Sequence, residues 1–195
     1  MGTYTPNLGL YKPDVGEVGW GDKVNENWDK IDEKVTALEG LKIVKEIVVD
    51  SDTDTVVLDE LDINKHRFYI LIISMISSGG YVHCYANDNF DNTDYVGRYT
   101  WEYNGYSSSG GRTGAVILDA DVDAPTQIVC IITLDPAGHY MLRAEVVTTY
   151  AGFYTDARYT YRTKSTMDNL TKLVLKGSRS NSFRAGTKIV LLGVV

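Results

Sequence analysis

Past Leu41 no stretch of useful length keeps a helical period, and this limits the fold more than any other feature of the chain. Short runs rich in Val, Ile, Thr and Tyr instead alternate with turn residues, at the intervals of an antiparallel two-sheet protein. Strands are expected at 43–49, 54–58, 67–77, 81–86, 94–103, 113–119, 126–134, 139–149, 157–163, 169–177 and 187–194. Between them stand Ser78-Gly-Gly80, Asn104-Gly105, Gly110-Gly111 and Asp135-Pro-Ala-Gly138, all compositions that favour turns. The last lies between two strongly β segments and predicts a hairpin. Tyr140, Leu142, Ala144 and Val146 then share one strand face, with Arg143, Glu145 and Thr149 on the other. Tyr159 and Tyr161 likewise oppose Arg158, Thr160 and Arg162. The fold class expected is mainly β, an antiparallel β-sandwich of jelly-roll type over residues 41–195.

The first forty residues behave differently. Residues 1–21 carry Leu8, Leu10, Pro13, Val15, Val18 and Trp20 without strand or helix period. Gly16, Gly19 and Gly21 oppose a helix and Pro13 holds the chain open, so an extended arm is expected. Asp22 is placed to cap a helix that runs to about Leu38 and stops at Gly40. Its apolar positions are Val24, Trp28, Ile31, Val35 and Leu38, the 4-3-4-3 spacing of a coiled-coil seam. Over so short a span a period of 3.5 is not separable from 3.6, so packing on its own domain fits this spacing equally well. A lone helix of this length is marginal in water and needs a partner surface. Glu26 and Lys30 are spaced for an i,i+4 ion pair.

Composition narrows the function classes. A formal charge of −7 argues against binding a nucleic-acid backbone, which requires clustered Lys and Arg. The start of the chain has neither the basic nor the apolar part of a signal peptide, and the longest apolar run, near Tyr69–Ile76, is too short to cross a bilayer. Synthesis in a cytoplasm without membrane insertion is expected. Cys84 and Cys130 sit in apolar, strand-like surroundings and read as buried free thiols.

Two segments, at opposite ends of the chain, carry a resemblance. From Leu10 to Asp32 the residues follow L-x-x-P-x-x-G-x-x-x-W-G-x-x-V-N-x-N-W-x-x-I-D. This pattern resembles the N-terminal attachment segments of tailed-phage tail fibres and related virion appendages. From Phe183 to Gly193 they follow F-x-x-G-T-x-I-x-L-x-G, similar to the closing strand pair of phage appendage head domains. The resemblance implies a jelly-roll head assembled as a trimer. It further implies virion attachment through Leu8, Leu10, Pro13, Val18 and Trp20, and a trimeric stem built on Val24, Trp28, Ile31, Val35 and Leu38.

Motifs for catalysis are absent from the sequence. It contains neither G-x-S-x-G nor H-E-x-x-H, and no phosphate-cradling or dinucleotide fingerprint. His66, His83 and His139 lack metal-ligand spacing and read as structural residues. Acidic clusters at 50–54, 87–94 and 119–123 lack the Gly and Glu of an EF-hand loop. Asp88, Asp91 and Asp94 in the second are a weak calcium candidate, set against Asx turns in a solvated loop. For binding, Tyr95, Tyr99, Trp101 and Tyr103 fall on one strand face, with Tyr106 just beyond the turn. Exposed, they form a platform for sugar rings; buried, they are a Tyr-rich core. The loop from Tyr106 to Arg112 is small and expected to be exposed beside them.

The expectation is therefore a non-enzymatic structural protein of a virion assembled in the host cytoplasm, a homotrimer without cofactor. Its partners are other virion proteins, through the arm, and a host-surface glycan or protein, through the head. A capsid decoration or head-fibre protein is the alternative, and a glycan-cleaving enzyme a more distant one.

Overall fold

The computed structural model describes residues 2–6, 9–38, 40–103, 106–150 and 153–195, and the side chains of 34–38, 103, 106, 119–122, 149, 150, 153 and 154 lie outside that description. The chain divides into two compact units, residues 1–40 and 41–195. No helix among the described residues is long and apolar enough to cross a membrane.

In the first unit the expected extended arm is partly folded. Strands β1 (Thr3–Tyr4) and β2 (Tyr11–Lys12) pair antiparallel, with Thr3 opposite Lys12 and Tyr4 opposite Tyr11. The Thr5 hydroxyl accepts from the Leu10 amide at 2.9 Å, closing the hairpin. Helix α1 (Gly21–Leu38) holds this hairpin through Asn27, whose amide oxygen accepts from Tyr11 N–H at 2.6 Å while its nitrogen donates to Tyr11 C=O at 2.8 Å. One side chain thus satisfies both backbone groups of an edge residue, which is why two very short strands can persist. The helix starts two residues earlier than the expected cap at Asp22 implies. Val24 N–H bonds Trp20 C=O at 3.0 Å, so Trp20 holds the capping position and Asp22 lies in the first turn, where its charge favours the helix N-terminus. The expected Glu26–Lys30 pair gives way to other partners: Lys23 meets Glu26 at 3.3 Å, and Lys30 donates to Gly9 C=O at 3.1 Å.

The second unit is mainly β and antiparallel, as its alternation requires. Its strands are β3 (Leu41–Val48), β4 (Thr55–Leu58), β5 (Phe68–Ala86), β6 (Tyr95–Tyr103), β7 (Tyr106–Thr113), β8 (Val116–Leu134), β9 (Tyr140–Tyr150), β10 (Phe153–Thr163), β11 (Leu173–Gly177) and β12 (Lys188–Val194). The main sheet runs β3-β12-β5-β8-β9-β10-β6-β7, and β4 joins through β11 to β5. The long strand β5 has different neighbours along its two halves. The first half of β5 pairs with β12 and its second half with β11. In the core the Tyr140 hydroxyl of β9 lies 3.5 Å from Cys84 Sγ of β5.

Ser78-Gly-Gly80, expected to end a strand, instead lies inside β5. Gly79 and Gly80 have φ of 84° and 83°, and the β5–β8 register slips between Ile76 and Ser78. There Ser77 alone stands opposite Asp123 and Ala124, so the extra residue belongs to β8, where Asp123 takes φ 63°, and both flanks of β5 keep the same partner strand. Gly110-Gly111, also expected as a turn, lies within β7, opposite Tyr99 and Arg98. Asp135-Pro-Ala-Gly138 does form its hairpin. The Asp135 carboxylate accepts from Ala137 and His139 N–H at 2.9 and 3.0 Å, and Gly138 takes φ 84°.

The core alternates as the strands do: Tyr69, Leu71 and Ile73 of β5 face Ile128, Cys130 and Ile132 of β8, all fully buried. Each such aliphatic side chain contributes about 1.5–3 kcal/mol relative to exposure. Cys84 and Cys130 are free and buried.

Candidate functional site

The aromatic stripe of β6 faces the core. Tyr99 stands opposite Tyr159 of β10, Gly97 opposite Tyr161 and Trp101 opposite Ala157, and these three partners are buried. Directly opposed residues point to the same side of a sheet, so Tyr95, Tyr99 and Trp101 point inward too. Tyr95 is fully buried. Its hydroxyl accepts from Ala86 N–H at 3.0 Å and donates to Asn89 C=O at 2.9 Å. It is therefore an internal strut and not a receptor contact, which corrects its assignment to the binding platform. Burial pushes its pKa well above that of a free phenol. Tyr99 and Trp101 are half-buried and pack against the core from its margin. The side chains of Tyr103 and Tyr106 lie outside the described residues. The segment following Tyr106, expected as an exposed loop, is strand β7.

Arg112, at the end of β7, reaches an aromatic column that sequence reasoning did not single out. Tyr81, His83 and Tyr85 alternate along the second half of β5, on the face opposite Val82, Cys84 and Ala86. The Arg112 guanidinium lies 4.4 Å from the Tyr81 ring centre and 5.9 Å from that of Tyr99. Tyr81 meets His83 edge-on at 6.5 Å, and His83 stacks parallel on Tyr85 at 5.4 Å. Tyr85 meets Phe90 at 5.2 Å, and the Lys176 ammonium sits 5.5 Å over the Phe90 ring. Both cations lie within the range of cation–π attraction. Burial, aided by the charges of Arg112 and Lys176, lowers the His83 pKa, so its ring is neutral near pH 7. The Tyr85 hydroxyl donates to Asn92 at 2.8 Å.

The two ends of this column are open: Tyr81 is 38% exposed and Phe90 47%. Exposed aromatic rings flanked by fixed cations pack against the C–H faces of sugars and attract carboxylates or sulfates. The alternation Tyr-Val-His-Cys-Tyr is legible in the sequence. That β7 brings Arg112 to it is a tertiary fact.

Asp88, Asp91 and Asp94, the calcium candidates, each have a partner within the protein. Asp88 pairs with Lys172 at 2.5 Å. Asp91 accepts from the Thr93 amide at 2.8 Å and hydroxyl at 2.7 Å. Asp94 accepts from the Lys164 and Ser165 amides at 3.0 and 2.8 Å, from the Ser165 hydroxyl, and from Asn89 at 2.6 Å. Among the described residues no group of three His, Cys, Asp or Glu converges to hold a metal ion. The loop is instead tied to residues 164–172 by its own hydrogen bonds.

In the first unit the attachment residues are largely bare. Val18 is 91% exposed, Trp20 48% and Trp28 64%, with Val15 fully exposed. Pro13 is exposed and Leu10 half-buried. Val24 and Ile31 are half-buried on α1. Leu8 and the side chains of Val35 and Leu38 lie outside the described residues.

No family model matches the chain, and no curated protein matches it. Among solved structures the chain is similar to an aerolysin-like protein of Bombina maxima, at 10% identity and a TM-score of 0.14, over 69% of this chain and 86% of that one. A likeness at that level carries no argument about fold or activity.

Proposed function

We propose that this chain is a non-enzymatic virion appendage protein, a homotrimer whose N-terminal unit docks into the particle and whose β unit contacts the host surface. The observation that carries the reading is the exposure of Val15, Val18, Trp20 and Trp28 on a unit of forty residues. A unit that small cannot cover these four apolar groups by itself, and aromatic groups left exposed in this way suit a docking interface. The attachment-segment pattern from Leu10 to Asp32 falls on these same residues.

The host contact belongs to the strip from Tyr81 to Phe90 with Arg112 and Lys176. Its chemistry suits a glycan, and anionic sugars above all, because two cations flank the rings. Three copies multiply a weak contact through effective concentration. A capsid decoration protein would use the same docking unit, and the exposed ends of the aromatic strip, Tyr81 and Phe90, favour the adhesive reading over it.

Labelled full-length chain, incubated separately with particles lacking it and with host cells, tests this. Trp20→Ala is expected to abolish decoration of the particles. Tyr81→Ala is expected to lower cell binding while decoration stays intact. Wild-type chain that binds neither particle nor cell overturns the reading, and particle binding without cell binding moves it to the decoration alternative.

A further inference from the structure

Tyr161 of β10 is fully buried, and its hydroxyl has no hydrogen-bond partner among the described residues. Buried hydroxyls are otherwise almost always paired, so this one calls for a partner from outside the chain. The register sets Arg112, Gly97 and Tyr161 side by side in one row across β7, β6 and β10. Gly97 puts no side chain between the other two: a Cβ there would stand 2.6 Å from the Tyr161 ring. Tyr99, on the same face of β6, lies over Gly110 of β7 in the same way, its ring 3.1 Å from where a Cβ would be. Burial pushes the Tyr161 pKa up to about 12 against the pull of the Arg112 charge, so the hydroxyl stays protonated near pH 7 and can donate a hydrogen bond. Tyr81 completes the surroundings, its ring centre 4.4 Å from the Arg112 guanidinium.

We propose that Arg112 and the Tyr161 hydroxyl together hold the carboxylate of an acidic sugar whose ring packs on Tyr81. This rests on the glycan reading of the strip, and adds which end takes the acid and which residue outside the strip selects it. Asp119 stands opposite Tyr81 on β8, its side chain outside the described residues. A guanidinium has five donors, so Arg112 can serve partners within the protein and still present a parallel pair to a carboxylate. At the other end of the strip Lys176 faces Phe90, and the neighbouring Tyr85 hydroxyl already donates to Asn92 at 2.8 Å. A lone ammonium attracts an acid as a point charge but does not select its geometry. The Tyr161 hydroxyl is covered by its neighbours, and the acid reaches it as the half-buried Arg112 side chain swings outward. Strand β7 is the last of the sheet, and its residues 107–111 are Ser-Ser-Ser-Gly-Gly, so no large side chain among them opposes that movement.

Calorimetric titration of the full-length chain with a galacturonate tetramer, and with its carboxyl-reduced neutral counterpart, tests the subsite. Wild type is expected to bind the acidic tetramer at least about tenfold more tightly, through charge-assisted hydrogen bonds. Tyr161→Phe is expected to remove most of that preference while affinity for the neutral tetramer stays the same. Its urea midpoint does not fall, because the deleted hydroxyl holds nothing among the described residues. Arg112→Lys keeps the charge but not the parallel donors, and the preference drops with it. Lys176→Met leaves the preference in place. Wild type that binds both tetramers equally, or neither, overturns the subsite. So does a Tyr161→Phe chain that keeps the wild-type preference, whose hydroxyl then serves only a buried water, or one with a lowered midpoint, whose hydroxyl is then structural. Preference lost with Lys176→Met but kept with Arg112→Lys moves the acid to the other end and refutes the assignment. Cell binding that falls with Tyr81→Ala but not with Tyr161→Phe retains the adhesive reading and removes the subsite. Acid preference abolished by Tyr161→Phe in a chain that binds no cell keeps the subsite and removes the adhesive reading.

Discussion

Tyr95→Phe separates a structural tyrosine from a binding one. The substitution keeps the ring and removes a hydroxyl that joins Ala86 N–H, 3.0 Å away, to Asn89 C=O, 2.9 Å away. Ala86 is fully buried at the end of β5, so its N–H loses its partner with no access to water. Leaving a buried donor unsatisfied costs about 1–3 kcal/mol. The half-buried Asn89 carbonyl recovers part of its loss from solvent, and the ring leaves no cavity. The expected destabilisation is roughly 2 kcal/mol, or about 4–8 °C in Tm for a domain of this size. Urea unfolding followed by far-UV circular dichroism, at one fixed protein concentration, measures it. The midpoint falls while the slope m is unchanged, since the surface exposed on unfolding is the same. Tyr95→Ala, which also empties the ring's site, is expected to cost about 3–5 kcal/mol. A loss below about 0.5 kcal/mol for Tyr95→Phe refutes the strut, because no buried donor is then being satisfied.

Acid sensitivity follows from two carboxylates. At Asp94 burial raises the pKa, but the bonds from the Ser165 hydroxyl and amide, Asn89 and Lys164 outweigh it and hold the group below its ordinary value. Asp135 is held low by the His139 and Ala137 amides and by Arg162, 2.8 Å away. Lowered folded-state values add stability that is complete above the unfolded carboxylate pKa of about 4 and is lost as pH falls through the folded values. The urea midpoint should therefore hold from neutral pH down to about 5 and drop below about 4, and the Asp94→Asn, Asp135→Asn double variant should lose less between those limits. Burial pushes the Cys84 thiol up to about 12 and that of Cys130 well above its ordinary value, so neither is expected to react with a thiol reagent at pH 8 until the chain is denatured. Reaction of the native protein within minutes would contradict their burial. Asn27→Ala removes both side-chain bonds to the Tyr11 backbone, and faster amide hydrogen exchange at Tyr11 is the expected result, with α1 retained.

The sequence alone determined the secondary-structure class and the local chemistry of its turns. A period of two or of 3.6 is a property of neighbouring residues and backbone stereochemistry, so the change at residue 40 and the Asp135–Gly138 hairpin were readable without knowing any distant contact. Within the candidate site, the alternation of Tyr95, Tyr99 and Trp101 was readable for the same reason. Alternation defines two faces of a strand but does not say which is inside. That was decided by pairing with β10, whose Tyr159 and Tyr161 are core residues distant in sequence. Glycine pairs were equally ambiguous: at 79–80 and 110–111 the residues that free a turn instead lie in strand interiors, because both flanks find partners that continue the sheet. The site around Tyr81 and the outer row of Ile43, Leu192, Ile70 and Ile131 arise from the same cause. Arg112 meets Tyr81, and Ile43 joins Ile70 and Ile131, only through strand order and register. Those are set by the burial of the whole core and not by any local stretch of chain.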